Sequence, residues 1–201
     1  MPISQITAAS IADGTVIASD IADGAVTGPK IGANAINANN VVSGTFAQPG
    51  SATTFTAKQT FDGSSSVAAI KLTDTLETVN VTSTAASSNI NYDITTQSIL
   101  YANVNATGNW TVNFRGSSGT ALNTLMASNE SMTCVLMALQ GDTAYYANTH
   151  QIDGTGITPK WQGNTAPTSG NSNSIDIYSY TIIKRGNATF DLFASQTQFA
   201  R

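Results

Sequence analysis

Charge is scarce in this chain. Asp, Glu, Lys and Arg make up 10% of its 201 residues, where ordinary globular domains carry about 25%. The net charge is −4, and the longest cationic run is the pair Lys184-Arg185. Nucleic-acid binding needs a patch that neutralises several phosphates, so the expectation is no nucleic-acid partner. No apolar run approaches the roughly 20 residues that cross a bilayer as a helix, so no membrane insertion is expected. Cys134 is the only cysteine, which excludes an intrachain disulfide and points to a small buried apolar side chain. His150 is the only histidine. With one His, one Cys and no Asp/Glu cluster at ligand spacing, neither a metal site nor a cofactor is expected. The first five residues, Met1 to Gln5, have neither a charged nor an apolar leader region, so export by a cleaved signal is not expected.

Aromatic residues are also unevenly placed. None precedes Phe46, and fourteen of the fifteen lie after residue 54. The aromatic-free part is instead a repeat. Every fifth residue from Ile6 is apolar and branched or bulky: Ile6, Ile11, Val16, Ile21, Val26, Ile31, Ile36, Val41, Phe46. A ten-residue period overlies it at Gly14, Gly24, Asn34 and Gly44, the residue types most at ease at positive φ. Asp13-Gly14 and Asp23-Gly24 are turn signals in the same phase.

A period of five fits neither a helix (3.6) nor a strand (2.0). One large apolar residue in five cannot bury itself within a single copy. The expectation is an extended pentad-repeat stalk over residues 11–46 that trimerises through Ile11, Val16, Ile21, Val26, Ile31, Ile36 and Val41. A disordered linker is the alternative that composition offers, and a pentapeptide solenoid of about two coils is too short to stack stably. Residues 1–10 carry no charge and place Ile3 and Ile6 only three apart, a spacing outside the later register; they are read as an attachment segment that becomes ordered on another protein.

Residues 47–54 contain Pro49-Gly50 and read as a hinge. Beyond them the period becomes two. Val79/Val81, Ile90/Tyr92/Ile94, Trp110/Val112/Phe114 and Phe190/Leu192/Ala194 alternate with polar residues, as half-buried strands do. From Met132 to Leu139 both faces are apolar, which predicts a central strand covered on both sides. Turn residues punctuate the runs at Asp62-Gly63, Gly116 to Gly119, Gly141-Asp142, Asp153-Gly154 and Gly186-Asn187. One short helical turn fits Ala121 to Ala127. The pattern predicts an all-β head over residues 55–201, an antiparallel β-sandwich of jelly-roll type.

Chemistry is thin. His150 lies in a loop-like stretch, and its expected place is an exposed loop. No Gly-x-Ser-x-Gly elbow accompanies it. Asp62, Asp153 and Asp176 are the acids that glycoside cleavage would use, but two precede glycine, where aspartate caps a turn. No catalytic residue is assigned, and the chain is expected not to be an enzyme. A ligand surface is the remaining candidate: Trp161 beside the long loop 164–173, with Asn164 and Asn171. Its indole would either stack on a sugar or plug the end of the core.

The blocks Ile11-Ala12-Asp13-Gly14-Thr15-Val16 and IADGAVTGPK (21–30) resemble repeats in fibre proteins of tailed bacteriophages. FDGSSSVAAIKLT (61–73), INYDITTQSILY (90–101), NWTVNFRGSSGTALNTLM (109–126) and DGTGITPKWQGNTAP (153–167) look like a domain of virion structural and fibre-like proteins in marine phages and cyanophages. The resemblance implies a non-enzymatic virion component, a short fibre or decoration appendage with a trimeric stalk and a β-rich head. It implies assembly in the host cytoplasm, release by lysis, and contact with capsid, neck or tail proteins. A receptor- or glycan-binding tip is the alternative it offers, and a small polysaccharide depolymerase a further one. Adhesion fibres are usually much longer than this chain, which favours a short appendage.

Overall fold

The computed structural model describes residues 11–12, 14–27, 31, 58, 60–61, 66, 70–72 and 75–201. The expectations for Ile3, Ile6, Ile36, Val41, the 47–54 hinge and Asp62 fall outside the described residues. The chain divides into two units, Met1–Ile70 and Lys71–Arg201.

In the first unit the ten-residue repeat produces a recurring turn. The Thr15 amide donates to the Ala12 carbonyl at 3.2 Å, and ten residues on the Ala25 amide donates to the Ala22 carbonyl at 2.9 Å. Gly14 and Gly24 sit in these turns at φ 76° and 74°, a region an L side chain enters only with strain. A single 3-10 turn, Ala18–Asp20, follows the first of them, and the Asp20 carboxylate accepts the Ile17 amide at 3.0 Å. The pentad side chains Ile11, Val16, Ile21 and Val26 are exposed in the single chain, at 44–53% of their full area.

The regular structure of the second unit is almost entirely β. In chain order its strands are β1 (Val79–Thr82), β2 (Ser88–Asp93), β3 (Ile99–Ala102), β4 (Trp110–Arg115), β5 (Ser131–Leu139), β6 (Ala147–Ile152), β7 (Thr155–Gly156), β8 (Lys160–Trp161), β9 (Ser174–Gly186) and β10 (Thr189–Ala200). One four-residue helix, α1 (Leu122–Leu125), interrupts them, near the expected place. Two sheets form, β1-β3-β5-β9-β10-β8 and β2-β4-β6-β7.

The all-β class is as expected, but the antiparallel jelly-roll is not what the chain builds. β1, β3 and β5 pair in parallel, and so do β2, β4 and β6. The chain passes from one sheet to the other at each successive strand, so its first six strands wind as coils of a two-sheet solenoid. A parallel pair cannot be joined by a hairpin; here the strand on the facing sheet serves as the crossover. Val79 therefore pairs with Ile99 and Ile99 with Val135, although a strand of the other sheet lies between each pair in sequence. Period-two alternation and glycine turns look the same in hairpins and in coils, which is why the strands were legible and their order was not. Antiparallel pairing enters only after β6 begins, in the short β6–β7 hairpin and then where β9 docks on β5 and returns through the long β9–β10 hairpin.

The inner faces of both sheets supply the core. Trp110 and Phe114 of β4 meet Tyr178 and Tyr180 of β9 edge to face, with centroids 5.8 and 4.9 Å apart. Aromatic pairs at such distances add about 0.5–1.5 kcal/mol beyond the area they bury. Tyr92, Val112, Leu136, Ile182 and Leu192 fill the spaces around them. Cys134 is buried here as expected, and burial pushes its thiol up to about 12.

The two outer faces differ. On the four-stranded sheet, Asn89, Thr111 and Thr149 lie side by side in register, as do Asn91, Asn113 and Gln151. Asn113 Nδ2 donates to Asn91 Oδ1 at 2.9 Å, and Arg115 forks onto Asp93. Such cross-strand ladders are worth a few tenths to about 1 kcal/mol each. On the six-stranded sheet the rows are more apolar but mixed: Val79, Ile99 and Val135 continue into Ser179 and Ser195, Val81, Tyr101, Met137 and Ile177 continue into Thr197, and Leu139, Ile175 and Phe199 form a third. The expectation that β5 is covered on both sides meets this difference. Its inner residues Cys134, Leu136 and Ala138 are buried, whereas Val135, Met137 and Leu139 are half-buried.

Candidate ligand-binding groove at Trp161

Trp161 ends the two-residue strand β8 at the sheet edge. It pairs with Ala194 of β10, a buried residue, so its side chain falls on the core side of the sheet. There the indole meets the His150 ring at 5.6 Å and 75°. His150 comes from β6 of the facing sheet, so the contact closes the space between the two sheets at this edge. Of the two roles open to Trp161, the plug is thus part of its job. The indole remains partly exposed, however, and three cavities meet at it.

The largest, about 530 Å³, runs between Trp161 and β6, under Asn148, Thr149, Gln151, Ile157, Pro159 and Pro167. A second of about 450 Å³ lies over β9 and β10, against Ser179, Thr181 and Phe193. The third, about 290 Å³, joins them past Gln162, Thr165 and Gln196. These sizes lie within or near the range of about 300–1,000 Å³ typical of small-molecule sites. The walls are flat apolar surfaces (Trp161, Pro159, Pro167, Phe193) alternating with amides and hydroxyls.

The groove is electrically quiet. Its one formal charge is Lys160, whose Nζ is 3.0 Å from Asp191 Oδ1 and 5.2 Å from the centre of the Phe193 ring. Asp191 also meets Arg185 at 2.9 Å; these two cations hold its carboxyl below the usual range, the Lys160 hydrogen bond most of all. His150 was expected on an exposed loop and is instead 5% exposed within a strand. Its polar partner explains why: Nε2 sits 2.9 Å from the Tyr180 hydroxyl, so the imidazole is satisfied inside the core. Burial lowers its pKa to about 4, leaving it neutral at pH 7. No carboxylate lines the three cavities, so the groove assembles neither a general acid–base pair nor a nucleophile with its base.

The other nominated residues are structural. Asn164 is exposed in the 3-10 turn Gln162–Asn164, at φ 57°. Asn171 is drawn away from the groove by the buried Asp176. Its amide donates to Asp176 Oδ2 at 3.0 Å and its Nδ2 to Oδ1 at 2.6 Å, while Gln140 Nε2 donates to Oδ2 at 3.0 Å. Asp153 caps α1, accepting the Leu122 and Asn123 amides at 2.7 and 2.9 Å. Structure therefore brings Trp161 together with His150, Thr149 and Gln151, not with Asn171. Nothing in the sequence marked His150 as a wall of this groove, because its stretch, Ala147–Ile152, lacks the alternation that marks the other strands. Among the described residues no group of three His, Cys, Asp or Glu is placed to hold a metal ion.

No protein-family model matches the chain, and comparison with curated proteins and with solved structures finds no match.

Proposed function

We propose that this chain is a non-enzymatic structural component of a phage virion. In this reading it is a short homotrimeric fibre or decoration appendage, attached by its N-terminal end and projecting the β-head outward. The observation that carries the reading is the pentad column. Ile11, Val16, Ile21 and Val26 recur in strict register, yet each is about half exposed in a single chain. Four such side chains left in water forgo about 1 kcal/mol or more apiece, which burial against other copies recovers. The recurring Ala12–Thr15 and Ala22–Ala25 turns support a regular element there over a disordered linker. The IADGAVT-type repeats favour a phage fibre among repeat-stalked proteins.

Incorporation tests the reading. Particles carrying a chain deleted for residues 1–10 should lose the protein, while particles carrying a head-deleted chain should retain the stalk. Normal incorporation of the first and loss of the second would reverse the proposed orientation.

The groove favours a second reading, a receptor- or glycan-binding tip. A flat indole flanked by neutral amides and hydroxyls suits a neutral saccharide, whose ring faces are apolar and whose rim is hydroxyl. Binding of purified protein to host-surface glycans, lost in Trp161→Ala, supports that reading; equal binding by the variant removes it. Release of reducing ends from host polysaccharide would instead favour a depolymerase.

A further inference from the structure

The three cavities at Trp161 form one continuous path. The cavity of about 530 Å³ shares Trp161, Ala166 and Pro167 with that of about 290 Å³. The latter in turn shares Trp161, Gln162 and Ser195 with that of about 450 Å³. The path therefore leaves β6, rounds the sheet edge at the indole and ends on the outer face of β9 and β10. A second aromatic ring stands at that end: Phe193, 40% exposed among small polar neighbours. We propose that Phe193 is a second stacking platform, so that the groove takes an extended run of neutral sugar units rather than a single one. The proposal rests on the glycan-binding reading above, and it adds the length of the ligand and the residue that senses it.

Strand register builds the outer end of the path. β10 lies between β9 and β8, and it pairs Phe193 with Thr181 on one side and Lys160 on the other. Two strand spacings make this row about 10 Å wide. Ser179 and Ser195 pair two residues along, on the same face. The side chains of Ser179, Thr181 and Ser195 make no hydrogen bond among the described residues. On the four-stranded sheet the equivalent groups are spent on one another, as in Thr111 with Thr149 and Asn91 with Asn113. Unspent hydroxyls around an apolar ring suit a pyranose, whose faces carry C–H groups and whose rim carries hydroxyls. The ring is also held in place. Asp191 anchors the Lys160 ammonium at 3.0 Å, and that ammonium stands 5.2 Å from the ring centre. Such preorganisation lowers the ordering cost of binding. Trp161 falls on the core side of the sheet and Phe193 on its outer side. One sugar ring therefore cannot stack on both, whereas a chain that rounds the edge can.

Titration calorimetry on the full chain tests the proposal with malto-, cello-, laminari- and manno-oligosaccharides, each from disaccharide to hexasaccharide. In a series that binds, wild-type affinity should rise about tenfold or more from the shortest member to the longest. Phe193→Ala should flatten that rise, and Phe193→Tyr, which keeps a flat ring, should preserve it. Trp161→Ala should weaken binding at every length. The β-sheet spectrum of each variant separates lost binding from lost folding. A wild-type affinity that does not change with length overturns the proposal, as does a rise that survives intact in Phe193→Ala; both results leave the glycan reading standing. A wild-type chain that binds no member of any series contradicts the glycan reading, and the proposal with it.

Discussion

Three residues show how the head fixes its geometry. Gly170 lies against the Tyr145 carbonyl, where an added Cβ would fall 2.1 Å from that oxygen and 2.9 Å from Asp176 Oδ2. Gly170→Ala must therefore push the loop off its buried anchor, at an expected cost of about 2–4 kcal/mol of unfolding free energy in urea titration. Ala188 presents the opposite case. It turns the β9–β10 hairpin at φ 48°, which costs an L side chain about 1 kcal/mol, so Ala188→Gly should stabilise the head by up to about that much. His150 sets a pH dependence. Its folded pKa of about 4 lies below the ordinary imidazole value of 6.5, so the unfolded chain binds the proton more readily. Stability is then complete above about pH 6.5 and falls as pH drops toward 4, by about 3 kcal/mol at most. In His150→Phe this part of the slope should vanish; an unchanged difference between pH 7 and pH 4.5 would show that the imidazole is not buried neutral. Of these three positions only Gly170 carried a sequence signal, a glycine in a long loop. The burial of His150 depends on the Tyr180 hydroxyl thirty residues away, a partner that no local pattern reveals.

At the scale of elements, α1 is too short to hold itself, since isolated helices need about 12–15 residues. It is clamped at both ends. Asp153 accepts its first two amides, and Lys184, 6% exposed, donates to the Asn123 and Met126 carbonyls at its end. Negative charge at the start and positive at the finish also match the helix dipole. Asp153→Ala should cost about 1–2 kcal/mol and increase amide exchange at Leu122 and Asn123 in particular. Exchange that is uniform across the head would show that the cap is dispensable. Asp153 was read from sequence as a turn aspartate before glycine, and it is that too: Asp153 and Gly154 both have positive φ in the β6–β7 hairpin. Its second role, across to α1, was not legible because it joins elements 31 positions apart. Strands followed the same rule. Trp110, Val112 and Phe114 point inward as their alternation predicts, because burial of one face is a local property. Their parallel partners are set by the coil that passes through the facing sheet, which alternation does not encode.

The whole molecule is, on this account, an assembly rather than a monomer, since the first unit leaves its pentad side chains in water in a single chain. Its central claim is the pentad column, and the mass of the full chain in solution tests it most directly. Light scattering at micromolar concentration should give three times the 20.8 kDa chain mass. With Ile21 and Val26 both replaced by Asp, six carboxylates would be forced toward one axis in poor solvent, and the mass should fall while the β-sheet spectrum is kept. A wild-type chain that is monomeric under these conditions, or a double variant with undiminished mass, contradicts the account.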